Sequence, residues 1–200
     1  MDDAQPIYKY RYGPNLPQFG MLAFLASLTM FFGSLIFSYA WVLPANVGAL
    51  IQVPLTLWLS TLLIAASAAT LATARWHIRR ARIHHYRLWL SLTIALALAF
   101  LVSQFWACVV LEKQGAFEAL AGYQRGNVFY IFAGFHGLHL LGGIAALVAL
   151  LIRVKGWVHA EEQALRRQRN LGSIVAMYWN FVAISWGGLF ALLLYWTHVW

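Results

Sequence analysis

Five long, nearly uncharged runs constrain this chain more than any other feature: about Gly20–Leu43, Pro54–Arg75, Leu88–Leu111, Val128–Ile152 and Ile174–Thr197. Each holds the roughly 20 apolar residues a helix needs to cross about 30 Å of hydrocarbon. Backbone donors in lipid must be satisfied within their own segment, and continuous rather than alternating apolar runs argue against a β-barrel. The fold class expected is an all-α membrane protein of five transmembrane helices. Composition agrees: 62% of residues are hydrophobic and 10% charged, against roughly 25% charged in soluble domains. One soluble core of this size could not hide so much apolar surface. Breaks fall at Pro44 and Pro54 and in GYQRGN before the fourth run. Residues 1–19 read as a cytoplasmic lead-in without the layout of a cleavable signal, and 20–200 as the membrane domain.

The net charge of +8 is distributed as a topology signal. Lys9, Arg11, Arg75, Arg79, Arg80, Arg82, Arg87, Arg153, Lys155, Arg166, Arg167 and Arg169 share one side of a five-span chain, and only Lys113 and Arg125 take the other. Positive residues stay inside, which puts the N-terminus in the cytoplasm and the C-terminus in the periplasm of a bacterial inner membrane. Tyr195, Trp196 and Trp200 suit the outer headgroup level. No loop leaves room for a soluble catalytic domain. Charges in short loops make no face for nucleic acid. Cys108 is the only cysteine, so no internal disulfide or cysteine-based cluster is available.

The motif FHGLH places His136 and His139 deep in the fourth run. Residues three apart share one helix side, so the pair cannot clamp a haem from both faces. The other histidines, at 77, 84, 85, 159 and 198, lie at or beyond span ends. Dinuclear centres in bundles want Glu-x-x-His repeats, and proton relays want carboxylates; the span centres hold no Asp or Glu, and Glu112 and Glu118 lie at or past the outer end of the third. The favoured reading is polar contact between helices. Gly134, Gly137, Gly142 and Gly143 allow close approach, and Ser27, Thr29, Ser67, Thr70, Ser103, Gln104, Asn180 and Ser185 offer partners. His136, His139, Gln104, Trp179, Asn180 and Trp186 are the candidate interhelical or lipid-contacting residues. RWHIRRARIHHYR (75–87) serves as a topology determinant and a surface for anionic headgroups. HAEEQALRRQRN (159–170) has the spacing of a short surface helix with i,i+4 ion pairs.

Three segments together resemble subunit III of the haem–copper respiratory oxidases: FYIFAGFHGLHLLGGIAAL (129–147), MYWNFVAISWGGLFALLLY (177–195) and FGMLAFLASLTMFFGSLIFSYA (19–40). The resemblance runs from about residue 19 to the C-terminus and fits the shorter, five-helix bacterial form. It implies an accessory subunit with no catalytic, cofactor-binding or metal-binding residues of its own. Such a subunit packs on subunit I, which carries haem and copper in a complex that also contains subunit II, and holds phospholipids between helix groups. The chain departs from the family pattern at Leu28, Ala107, Asn180 and Ala183, where the family has Glu, Glu, His and Asp. A carboxylate-dependent role in proton uptake is therefore not implied. The alternatives are an accessory subunit of a nitric oxide reductase and a b-haem electron carrier. A transporter would want repeated halves, and five spans without a repeat do not supply them.

Overall fold

A computed structural model describes residues 16–42, 53–113, 125–157 and 161–198. Lys9, Arg11, Pro44, Glu118, His159, the first half of GYQRGN and Trp200 lie outside the described residues, as do the side chains of Tyr195 and Trp196. Five helices follow in order: α1 (Leu16–Val42), α2 (Leu55–Arg79), α3 (Ile83–Lys113), α4 (Arg125–Arg153) and α5 (Glu162–His198). All five are long and apolar enough to cross a membrane, and there is no strand among the described residues.

Each helix outruns its apolar stretch. Segment 75–87 contains only a tight turn, Arg80–Arg82, and is otherwise the ends of α2 and α3. The turn closes through Arg80 N–H and Arg82 N–H on the His77 carbonyl and Ala81 N–H on that of Ile78, with Ala81 at a φ of 56°. A left-handed alanine costs about 1 kcal/mol, which the packing of the hairpin offsets. The described part of the surface helix expected at 159–170 is not separate: from Glu162 on it forms the first turns of α5, whose 37 residues make a rod of about 55 Å. Its expected i,i+4 pair is present, with Arg166 Nε 3.1 Å from Glu162 Oε1.

The interior repeats by sevens. On α2 the buried positions Leu57, Ser60, Ile64, Ser67, Leu71, Ala74 and Ile78 alternate steps of three and four. On α3 the run Tyr86, Leu90, Thr93, Ala97 and Phe100 does the same and resumes at Ala107 and Leu111. On α4 His136, Leu140, Gly143, Leu147 and Leu150 follow suit, and Val154 continues the step just past the helix end. Three-four alternation is the period of a left-handed coiled-coil seam, which keeps one face of each helix toward its neighbours. The core unites α2, α3, α4 and α5 around Leu71, Leu90, Phe100, Leu147 and Trp179. From α1, Leu28 and Phe32 are buried.

At one end of the bundle, Gln168 of α5 is 2% exposed and donates to the Tyr86 hydroxyl of α3 (3.1 Å) and the Leu150 carbonyl of α4 (3.0 Å). One amide thus joins three helices. Gln168→Leu keeps the approximate volume but leaves a buried hydroxyl and carbonyl without this donor, a loss of about 1–3 kcal/mol. The expected result is a lower midpoint for thermal dissociation of the purified protein; a midpoint within error of wild type would show the bonds to be idle.

Candidate functional site: the seams of α5

Hydroxyls within the spans first satisfy themselves locally. Ser60 and Ser67 donate to carbonyls three residues back, and Thr61 and Thr73 to those four back, the usual refuge of such side chains in lipid-embedded helices. Some then also serve a neighbouring helix. Thr70 and Thr93 join α2 to α3 through their hydroxyls at 2.9 Å, and Ser103 donates to the Thr56 carbonyl at 3.1 Å.

A second set runs along α2 and α5. From one end to the other, Trp186 Nε1 donates to Thr61 Oγ1 (3.1 Å) and Trp179 Nε1 to Ser67 Oγ (3.0 Å). Then Arg75 donates to Ser173 Oγ (3.3 Å) and Arg169 Nε to the Ile78 carbonyl (3.2 Å). Trp179 is fully buried, and its indole spans the gap between α5 and α2 while its six-membered ring lies against α4. That contact needs Gly143: a Cβ there would come within 2.9 Å of Trp179 Cε3 and 3.2 Å of Tyr178 Cε1. Tyr178 completes the α4–α5 contact by donating from its hydroxyl to the His139 carbonyl at 2.8 Å.

The two histidines sit beside this seam. His136 is 8% exposed, its ring 5.9 Å from that of Trp186 and 6.4 Å from Phe32. The edge of Phe32 also meets His139, at 5.4 Å. His139 Nδ1 lies 2.6 Å from the Phe135 carbonyl of its own helix, and since a carbonyl only accepts, Nδ1 carries the proton. His136 Nε2 is buried without a hydrogen-bond partner among the described residues, and so is Gln104 Nε2. Asn180 is exposed. The interhelical hydrogen bonds expected of the histidines thus fall to Trp179, Trp186 and Tyr178, while the imidazoles meet α1 and α5 ring to ring. For His139 the reason is local: its helix offers the imidazole an i−4 carbonyl within reach of Nδ1.

No group of three or more His, Cys, Asp and Glu among the described residues is arranged to hold a metal ion. Three of the four departures from the resembled pattern are packed as apolar positions, Asn180 being the exposed fourth. Ala107 is buried with Leu57 and Phe190, Leu28 is buried on α1 and Ala183 is half-buried on α5. Cys108 is an exposed free thiol.

This is the arrangement of a multi-pass helical membrane protein whose interior indoles, Trp179 and Trp186, bond hydroxyls of a neighbouring helix. A family profile described as "Cytochrome c oxidase subunit III" matches residues 15–198. A relative described as "Probable cytochrome c oxidase subunit 3" in Nocardia farcinica (strain IFM 10152) is 32% identical over 188 residues, covering 89% of this chain and 87% of the relative. "Cytochrome c oxidase subunit 3" of Corynebacterium diphtheriae (strain ATCC 700971 / NCTC 13129 / Biotype gravis) is 30% identical, covering 88% and 86%. That of Thermostichus vulcanus is 28% identical, covering 90% and 87%. The chain belongs to the cytochrome c oxidase subunit III family, and as such to a complex with other oxidase subunits.

Proposed function

We propose that this chain is the non-redox accessory subunit of a haem–copper terminal oxidase, packed on catalytic subunit I and holding phospholipid against it. The haem and copper belong to partner subunits. Its N-terminus faces the cytoplasm of a bacterial inner membrane. The charge count of the loops supports that orientation. The relatives' names favour dioxygen over nitric oxide as the substrate of the complex.

The observation that carries the reading is the fate of the polar groups around Trp179 and Trp186. Both indoles donate to hydroxyls of α2, and apolar side chains stand at 28, 107 and 183. A proton path through the chain would want carboxylates along that interior. A rigid four-helix core with α1 laid against α4 and α5 suits a scaffold.

The test uses the tagged full-length chain, solubilised in mild detergent. A large haem-bearing partner should copurify, with oxidase activity, and its optical spectrum should be unchanged in His136→Ala and His139→Ala. A haem-loaded chain purified alone, whose spectrum either substitution abolishes, would overturn the reading.

A further inference from the structure

Where α4 hands over to α5, the described residues leave a crevice of about 410 Å³, lined by Arg153, Trp157, Glu161, Gln163, Arg167 and Gln168. Its floor is fixed. Gln168 is held by Tyr86 and Leu150, and the turn above it is set by Gly156 at a φ of 88°, a conformation costly for any other residue. Trp157 is half-buried beside it.

The charges in the crevice differ from those next to it. Glu162 takes Arg166 at 3.1 Å and Arg169 at 3.7 Å. Arg153 and Arg167 have no ion pair with a described residue, and both are exposed. Two guanidiniums without an ion pair among the described residues therefore border one concavity, whose other charged lining residue among those described is Glu161. Guanidinium forks match the tetrahedral oxygens of phosphate, and two of them at one site exceed what one carboxylate can neutralise. Depth narrows the ligand further. The apolar stretch of α4 ends at Arg153, so the crevice opens at the boundary between hydrocarbon and water. An indole beside it suits that level.

We propose that this crevice binds a phosphate group, carried by a lipid headgroup lying at that depth or free in the water. Arg153 and Arg167 hold the phosphate oxygens, Gln163 donates from the rim, and Trp157 packs along the apolar part of a headgroup. Glu161 disfavours ligands with a second negative charge. The site is distinct from the lipid holding proposed above between this chain and subunit I, and it rests on the crevice alone.

The experiment purifies the tagged full chain with whatever assembly it brings down. Retained phosphatidylglycerol is measured by native mass spectrometry, and inorganic phosphate by its ³¹P line width. Three proteins are compared: wild type, the double variant Arg153→Gln/Arg167→Gln, and Lys113→Gln/Arg166→Gln, which removes the same charge from other places. At about 1 kcal/mol per basic residue near the membrane surface, lipid retention should fall about tenfold or more in the first variant and hold in the second. If instead phosphate broadening is what disappears, the site takes free phosphate. Equal behaviour of both probes in the wild type and the first variant, or equal losses in the two variants, would overturn the site. Absence of a haem-bearing partner from the same preparations would count against the accessory role and leaves the phosphate readings to judge the crevice.

Discussion

Gly143→Leu is expected to part α4 from α5 and to release the subunit from its assembly at temperatures the wild type withstands. The first added carbon already lies 2.9 Å from Trp179 Cε3 and 3.0 Å from Cζ3, and three more must follow it. Trp179 cannot retreat cheaply, because its ring is fully buried and its N–H is held by Ser67. Overpacking of a core costs about 1–3 kcal/mol, with larger values where nothing yields, and this contact belongs at the upper end. Gly143→Ala should cost less, since alanine regains about 0.5–1 kcal/mol of helix preference while still crowding the indole. Gly142→Ala supplies the control. Its Cβ would meet only the Tyr178 hydroxyl, at 3.7 Å, an ordinary contact. Thermal dissociation followed by gel filtration should rank the three as Leu, then Ala at 143, then Ala at 142 close to wild type. A Gly143→Leu protein as durable as the parent would mean that the two helices do not meet as described.

How much of this contact the sequence disclosed depends on the property asked of each residue. Gly143 stood out as one of four glycines around FHGLH, and small residues imply close approach. Which of the four is indispensable did not follow, because a glycine's value lies in what faces it. Gly134 and Gly137 face nothing within 4 Å, and only Gly143 faces a ring. The five spans were legible because their length and apolarity are properties of single segments. Their ends were less so. The charged stretch 159–170 reads as a short surface helix of its own, yet α5 runs unbroken from Glu162, with a Glu162–Arg166 pair in its first turns. The seven-residue repeat on α2 also escaped a reading based on hydropathy. Ser60, Ser67 and Ala74 occupy it beside Leu57, Ile64 and Leu71, and lipid-facing leucines such as Leu59 and Leu62 are no less apolar than the core. In a bilayer, hydrophobicity marks depth and small or hydroxylic residues mark contact.

The histidines show the same limit from the other side. A polar group in an apolar run announces that something must satisfy it, but not which helix does. His139 turns to its own backbone and His136 to two aromatic rings, whereas the bonds that cross between helices come from Trp179, Trp186 and Tyr178. Tryptophan was visible as a candidate, yet its donor needed Ser67 and Thr61 at the matching height of another helix, and that height is set by tertiary packing.

Trp179→Ala should be the most damaging single substitution in the spans, costing about 3–5 kcal/mol, the range for removing a large buried ring. Two effects are joined in that figure. Trp179→Phe separates them, because it keeps most of the ring and removes the N–H. The indole bond to Ser67 should then be worth about 0.6 kcal/mol if it behaves as interhelical bonds in membranes do on average. It could approach the 1–3 kcal/mol of an orphaned buried group only if the Ser67 hydroxyl had no alternative. It has one, since Ser67 already donates to the Ile64 carbonyl; the phenylalanine variant should therefore lose little. Volume, not the hydrogen bond, dominates the alanine variant. A double-mutant cycle makes this decisive. Once Trp179 is alanine, the two closest obstacles to a Cβ at 143 are gone and Tyr178 Cε1, at 3.2 Å, is the one that stays, so Gly143→Ala should cost less there than in the wild type while recovering some helix preference. The double variant should then be more stable than the sum of the singles implies by about 1 kcal/mol or more, as expected for residues in direct contact. Strict additivity would place Gly143 and Trp179 apart and take the α4–α5 seam, with the scaffold reading built on it, out of contention.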